Sequence, residues 1–513
     1  MKRPEVLPAD RYNTVLLDNV HPLDWTNPQP GDTYNLVVVG GGTAGLISAA
    51  IAASLGARTA LVERHFLGGD CLNVGCVPSK GVIRGARAQA ELSWLHESEL
   101  VDGSQAMPRV SFSAVMERLR RIRSEISGHD SAARYRDEFG VDVYIGSGQF
   151  TGRKTLEVIG DDGTTRSLRF SRAVIATGAR AAAPPIPGLD TVPYFTNENL
   201  FWLTELPESL VVIGAGPIGC EMAQSFARLG SRVELVDMAP RILPREDADV
   251  AEIVQRELEH SGVHLHLGVA VKEVGGSEGA IEVRYTSPSG SAAAAGGQKL
   301  LVAVGRAANL DGLGLDEAGV KAHKRGIEVN EFLQTSNRRI YAAGDVASPY
   351  QFTHTAEANA AIAVQNALFM RTARTSRLVI PWSTYTSPEV AHAGISEQDA
   401  QKSGIAVDVY RHELSGVDRA RLDGETEGFV KLITPRGKAR ILGATIVAAH
   451  AGEMMGEIVL AMQNGLGVDK LASVIHPYPT QGEAVKRAAA GYIKKKLTPR
   501  TKRILSTWLW WNR

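Results

Sequence analysis

The chain has 513 residues, 44% hydrophobic and 22% charged, a globular composition too long for a single core, and two to four domains are expected. Its 56 basic and 56 acidic residues cancel, which removes any global pull towards nucleic acid or an anionic membrane. Three cysteines cannot build a secreted disulfide framework and point to a reducing compartment, the cytoplasm.

Residues 1–34 contain Asp10, Asp18, Asp24 and several prolines but no apolar core segment. They do not read as a signal peptide and are expected to form an irregular arm on the body of the protein. Leu36 to Ala57 carries no charge and is long enough to span a bilayer. Its glycine cluster and the charged end of the following "TALVER" predict instead a buried strand, a tight turn and a helix. In "YNLVVVGGGTAGLISAA" a β-branched run leads into Gly40, Gly42 and Gly45 with GxGxxG spacing. Such glycines let the backbone approach a pyrophosphate, and the helix N-terminus offers free N–H groups and a favourable dipole. Glu63 ends the next strand, where an acid can bind a ribose hydroxyl.

"GGDCLNVGCVPSK" places Cys71 and Cys76 five residues apart. In a regular helix such positions point about 140° apart, beyond disulfide reach. A bond between them requires a distorted first turn, which Gly75 makes cheaper. A thiol opening the helix that begins at "VPSK" has a lowered pKa. The bland reading is two buried thiols that happen to be close.

The nucleotide device recurs. "SLVVIGAGPIGCEMAQSFARLGSRVELVD" holds Gly214, Gly216 and Gly219, with Asp237 at the end of the next strand. An acid there favours NAD over NADP, although Arg241 and Arg245 lie nearby. Three shorter pieces fit the same plan: "AVIATGA" with Thr177 and Gly178, "LLVAVGR" with Gly305, and "RIYAAGDVA", which puts Asp345 at the start of an expected helix.

The cysteine segment resembles the redox-active disulfide signature of the flavoprotein disulfide reductases, the family of dihydrolipoamide dehydrogenase, glutathione reductase and mercuric reductase. The likeness covers about residues 35 to 490, with the motifs in the family's order. It implies an α/β fold with two Rossmann-like domains, for FAD and for NAD(P), and a C-terminal α+β dimerisation domain. The implied boundaries are an arm over 1–34, FAD domain over 35–185 and 306–377, NAD(P) domain over 186–305, dimerisation domain over 378–493 and a tail over 494–513. FAD would sit on Gly40, Gly42, Gly45, Glu63, Thr177, Gly178, Gly305 and Asp345, and NADH or NADPH on Gly214, Gly216, Gly219 and Asp237. Cys76 would face the flavin, Cys71 would meet the substrate, and Lys80 would pair with Glu221 beside the flavin. Cys220 reads as a core residue. Electrons would pass from NAD(P)H through FAD to the Cys71–Cys76 disulfide and on to an acceptor.

The disulfide-reducing members end in a segment like H-x-H-P-T-x-x-E, whose second His is the acid–base. Here "IHPYPTQGEAVK" aligns Tyr478 with that His, Glu483 with the Glu, and His476 with the first His. A phenol is a poor proton shuttle at neutral pH. Tyr478, together with Tyr194 of "VPYFTNENL", is similar to mercuric reductase, where two tyrosines flank the metal at the active thiols. The best reading of the acceptor is therefore Hg(II) or another soft metal ion, held transiently by Cys71 and Cys76. The vicinal cysteines and N-terminal CxxC domain typical of those enzymes have no counterpart in this sequence. The alternatives are a dihydrolipoamide dehydrogenase-type enzyme, with His476 serving as the base, and electron transfer from NADH to a quinone at a membrane surface. The family's dimer would let Tyr478 complete the partner chain's site. The tail "KKKLTPRTKRILSTWLWWNR" combines cations, no acid, and Trp508, Trp510 and Trp511. It is expected to lie at a membrane surface or to dock on its own dimer.

Overall fold

The computed structural model describes residues 4–101, 108–161 and 163–513. It divides into two compact units, one of Met1–Gly214, Ser225–Met238 and Val269–Ser376, the other of Ala215–Gln224, Ala239–Gly268 and Arg377–Arg513.

The first unit begins with a correction. The arm is not wholly irregular: Arg11–Val20 forms helix α1. The Asp10 carboxylate caps it by accepting from the Tyr12 and Asn13 amides, an N-cap that satisfies donors otherwise left free. Asn13, Leu16 and Val20 turn one face inward.

Strand β1 (Thr33–Val39), helix α2 (Thr43–Ser54) and strand β2 (Thr59–Glu63) follow as the first glycine motif requires. Helix α3 (Cys76–Glu97) carries the second cysteine, and helix α4 (Phe112–Ser127) packs beside it. Three strands come next: β3 (Asp142–Gly152), β4 (Thr155–Gly160) and β5 (Thr165–Ile175). β1 pairs in parallel with β2 and β5, and β2 with β3. The far ends of β3 and β5 are joined through β4 in an antiparallel meander. The parallel strands read as continuous Val/Ile/Leu runs because both faces are covered.

In the second glycine motif, strand β6 (Ser209–Ile213) leads to helix α5 (Pro217–Leu229) and strand β7 (Arg232–Asp237). Strand β8 (Lys299–Val302) lies on the other side of β6, and all pairings are parallel. Between β7 and β8 the chain inserts a three-stranded antiparallel sheet (Ala270–Ser277, Ala280–Thr286, Ala292–Gly297). Its inward residues Val274, Ile281, Val283 and Tyr285 share a core with Val211 and Ile213. The chain then returns to the first sheet as strand β9 (Ile340–Ala342), parallel to β5. After β9 the expected helix at Asp345 is a single 3₁₀ turn, Gly344–Val346; the long helix, α6 (Thr353–Leu368), begins later.

The second unit holds a five-stranded antiparallel sheet, in the order Pro381–Thr384, Glu389–Gly394, Gly443–Ala448, Phe429–Pro435, Val407–Glu413. Helices Ala451–Gln463 and α7 (Glu483–Lys496) cover it through Met455, Ile458, Val485 and Ala489. One ion cluster is buried here. Lys431, 1% exposed, reaches Asp247 at 2.9 Å, Asp249 at 3.0 Å and Glu397 at 2.7 Å. A second helix follows α7, namely α8 (Pro499–Trp511), started by Thr498 as N-cap and proline in its first turn.

Candidate active site

The cysteine segment has a break of the kind that a Cys71–Cys76 bond would need, although the bond itself is not formed. Cys71 lies on a five-residue helix, Gly69–Asn73; the helix breaks at Val74 and Gly75, and Cys76 opens α3. A side chain on Gly75 would stand 2.8 Å from the Asp70 carbonyl, so the break is a close backbone approach that only glycine permits. None of the three cysteines is in a disulfide among the described residues. Cys71 is half-buried and Cys76 is exposed. A hydrogen bond to Cys76, and after it burial, push the Cys71 thiol up, while the Thr353 hydroxyl pulls the other way. That hydroxyl lies 3.4 Å from the Cys76 sulfur.

Two ties hold the segment between the thiols. Arg123 of α4, a fully buried cation, donates one N–H to the Asn73 carbonyl at 2.6 Å and another to Asn13 of α1 at 2.7 Å. Burial pulls its pKa down to about 10. Asn73 in turn donates to the Leu67 and Gly69 carbonyls. From the other side, Asn197 donates to the Val74 carbonyl at 3.4 Å. Tyr194, three residues before it, is half-buried against the Ile213 and Val274 core.

At the first glycine turn, a side chain on Gly45 would collide with the Gly40 carbonyl, and one on Gly40 (φ +106°) with the Ala176 carbonyl. Gly42 caps α2 without any side-chain hydrogen bond. The first amides of the helix therefore face a cradle with no side chain in it, which fits a pyrophosphate. Glu63 accepts from the Gly41 amide at 2.5 Å and the His65 amide at 2.6 Å. Burial raises its pKa against the pull of these amides. The second turn repeats the design: a side chain on Gly214 would lie 2.5 Å from the Ala303 carbonyl, and Asp237 ends β7. Thr177 and Asn309 exchange side chain-to-carbonyl bonds of 2.8 and 2.9 Å beside Gly178.

One arrangement was not foreseen. Arg306, next to Gly305, ion-pairs with Asp70, the neighbour of Cys71, and lies 3.5 Å from Asp345. Burial pushes Asp345 up to about 6, with Arg306 opposing and the charges of Asp70 and Cys76 adding to the rise.

In the second unit, Tyr478 is 72% exposed and its hydroxyl donates to Asp418 at 3.1 Å. Glu483 is taken up by Arg487, one turn along α7, at 3.0 Å. His476 is mostly buried, and its Nε2 lies 3.1 Å from both Glu457 oxygens. Glu221 is buried and accepts from the Tyr385 amide at 2.8 Å, while Lys80 is the fifth residue of α3. Cys220 is fully buried, its sulfur 3.4 Å from the Ala215 carbonyl, as a core residue should be. The tail's cations do not all lack an acid: Lys495 reaches Asp408 at 2.6 Å, an acid far away in sequence.

Sequence reasoning missed Arg123, Asn73, Thr353, Arg306 and Asp418. Only Arg306 had a signal, its place directly after Gly305 in "AVGR".

Comparison with known proteins agrees with this geometry. Residues 34–360 match the pyridine nucleotide-disulphide oxidoreductase family, and residues 380–489 match that family's dimerisation domain. The chain belongs to this family. It is 36% identical over 467 residues to a mercuric reductase of Streptomyces lividans, an alignment covering 89% of this chain and 95% of the relative. It is 33% identical over 458 residues to a dihydrolipoyl dehydrogenase of Chlorobaculum tepidum, covering 89% and 96%. A structural neighbour is the Cu(II) complex of the HOCl-induced flavoprotein disulfide reductase RclA from Escherichia coli, with TM-score 0.80 and 27% identity, covering 90% of this chain and 99% of that one. The chain is thus a pyridine nucleotide-dependent flavoprotein oxidoreductase of the disulfide reductase type, a family that contains FAD and uses NAD(P)H. The dimerisation domain supports a homodimer.

Proposed function

We propose that this enzyme passes two electrons from NAD(P)H to a soft metal ion, Hg(II) foremost, so that NAD(P)H and Hg(II) give NAD(P)⁺, a proton and Hg(0). The observation that carries the reading is Tyr478, which stands at the acid–base position with its hydroxyl on Asp418. The similarity to mercuric reductases and to a Cu(II)-binding reductase supports it. FAD, when bound at the first glycine turn, supplies the two-electron chemistry. Glu63 and Asp345 would orient it, and Lys80 with Glu221 would tune it.

The protein's own part is to present two sulfurs. Cys71 and Cys76 are close enough to share a hydrogen bond, and soft thiolates suit a soft ion. Cys71 holds its proton more tightly than a free thiol, so capture of the metal must displace that proton. Tyr194 and Tyr478 would flank the metal, Tyr478 reaching the thiols of the partner subunit. Asp237 favours NADH, and Arg241 supports this because it donates to the Glu246 carbonyl at 2.9 Å and is engaged there.

The rival is a lipoamide-type reductase with His476 as base, favoured by the dihydrolipoyl dehydrogenase relative. Against it, His476 aligns with the first, non-catalytic His of the family's segment and its side chain is mostly enclosed. The test follows anaerobic oxidation of NADH and NADPH with Hg(II) in excess thiol, with Cu(II), and with lipoamide, in wild type, Cys76→Ala and Tyr478→Phe. Metal-dependent turnover crippled by both changes is expected. Turnover on lipoamide alone, lost in His476→Gln, would replace this reading by its rival.

A further inference from the structure

The helix α8, Pro499–Trp511, contains no buried residue. Its large apolar side chains are open to solvent, with Ile504 70%, Trp508 67% and Trp511 78% exposed. At about 100° per residue, Ile504, Leu505, Trp508, Leu509 and Trp511 fall within one arc of about 160°. Arg500 and Lys502 border that arc on either side, and Arg503, Ser506 and Thr507 lie opposite with Trp510. From residue 484 to residue 513 the sequence contains no acid. Lys495, in the preceding helix, pairs with Asp408.

We infer that α8 is an interfacial helix that lies flat on an anionic lipid surface. The apolar arc would enter the headgroup boundary, and the flanking cations would meet lipid phosphates. Charge complementarity selects this occupant. The chain as a whole is neutral, whereas this segment is purely basic, so a second α8 would bring like charge to the same face. A helix of 13 residues is only about 20 Å long, and no helix among the described residues is long and apolar enough to cross a membrane. In a homodimer two such helices would bind together, so the pair would hold more tightly than either alone. The inference does not depend on the identity of the electron acceptor.

The test uses the full flavin-loaded protein with vesicles of phosphatidylcholine, with and without phosphatidylglycerol, in a flotation assay at low and at high salt. Binding to the anionic vesicles alone, weakened by salt, is expected. Arg500→Gln with Lys502→Gln should weaken it about five-fold for each cation removed. Deletion of residues 499–513 should abolish it and leave NAD(P)H-dependent turnover unchanged. Brominated acyl chains should quench tryptophan emission in the full chain and not in the deletion. Failure to bind anionic vesicles at low salt overturns the inference, as does equal binding to neutral ones. So does a deletion that turns dimer into monomer in sedimentation while vesicles bind neither form; α8 would then belong to the subunit contact.

Discussion

Arg123 is the buried cation on which the segment between the thiols hangs, and its replacement by methionine measures that hold. Burial lowers its pKa from 12.5 to about 10, so keeping it charged in the fold costs about 3 kcal/mol at one pKa unit per 1.36 kcal/mol. Two hydrogen bonds from a charged donor return about 1.5–3 kcal/mol each, so the residue is near neutral or modestly stabilising while both are made. Methionine relieves the charge but strands the Asn73 carbonyl and the Asn13 side-chain oxygen, at about 1–3 kcal/mol apiece. Arg123→Met should therefore destabilise the protein by about 2–4 kcal/mol, within the range for removing one partner of a buried polar network. Arg123→Lys, which keeps the charge but not the fork, should fall between. Denaturant unfolding of the flavin-loaded enzyme measures the loss, and the rate of thiol labelling at Cys76 reports whether the segment loosens with it. A Met variant within about 0.5 kcal/mol of wild type, in the range of ordinary surface changes, would refute the reasoning, because both acceptors would then have found water.

Three further outcomes are expected. Asp345 ionises near 6 in the fold and near 3.8 in the open chain, so its stabilising share is complete below pH 4 and disappears as pH rises through 6. Asp345→Asn should flatten the pH dependence of flavin-free stability across that window by up to about 3 kcal/mol, read by thermal melts at fixed ionic strength. Burial alone would raise Asp247, but Lys431 and the Glu397 and Gln398 amides outweigh it and hold the carboxyl low. That contribution is present above pH 4 and is lost as pH falls below it; Lys431→Met should remove it and cost about 3–5 kcal/mol at pH 7, seen in urea unfolding. Thr353→Val removes a hydroxyl that lowers the Cys71 pKa; stopped-flow Hg(II) capture should slow about five-fold at neutral pH, the worth of one hydrogen bond, and recover as pH rises.

The fold was legible because its signals are local. The two glycine turns, their strands and their closing acids lie within short runs of sequence and appear where the spacing puts them. Helix geometry said that a bond between Cys71 and Cys76 would need a distorted turn, and the break at Val74 and Gly75 is such a distortion. What escaped was non-local. Arg123 reaches Asn73 across fifty positions and Asn13 across one hundred and ten, and nothing in "RLRRIRSE" distinguishes the buried Arg120 and Arg123 from the exposed Arg118 and Arg121. Helix α1 was missed because its stability comes from a cap and from packing, with little intrinsic apolar character. Asp418 was invisible because Tyr478 meets it from sixty residues away.

The Asp70–Arg306–Asp345 chain has a consequence for proton balance. Asp345 titrates near 6, and negative charge on Cys76 pushes it higher. When the Cys71–Cys76 disulfide takes two electrons, one sulfur binds a proton and the other is left as a thiolate, whose charge raises Asp345 and draws a further fraction of a proton onto it. The number of protons taken up per two electrons is then fractional and varies with pH around that value. The slope of the enzyme's reduction potential against pH should bend there, as a direct mark of the carboxyl beside the sulfurs.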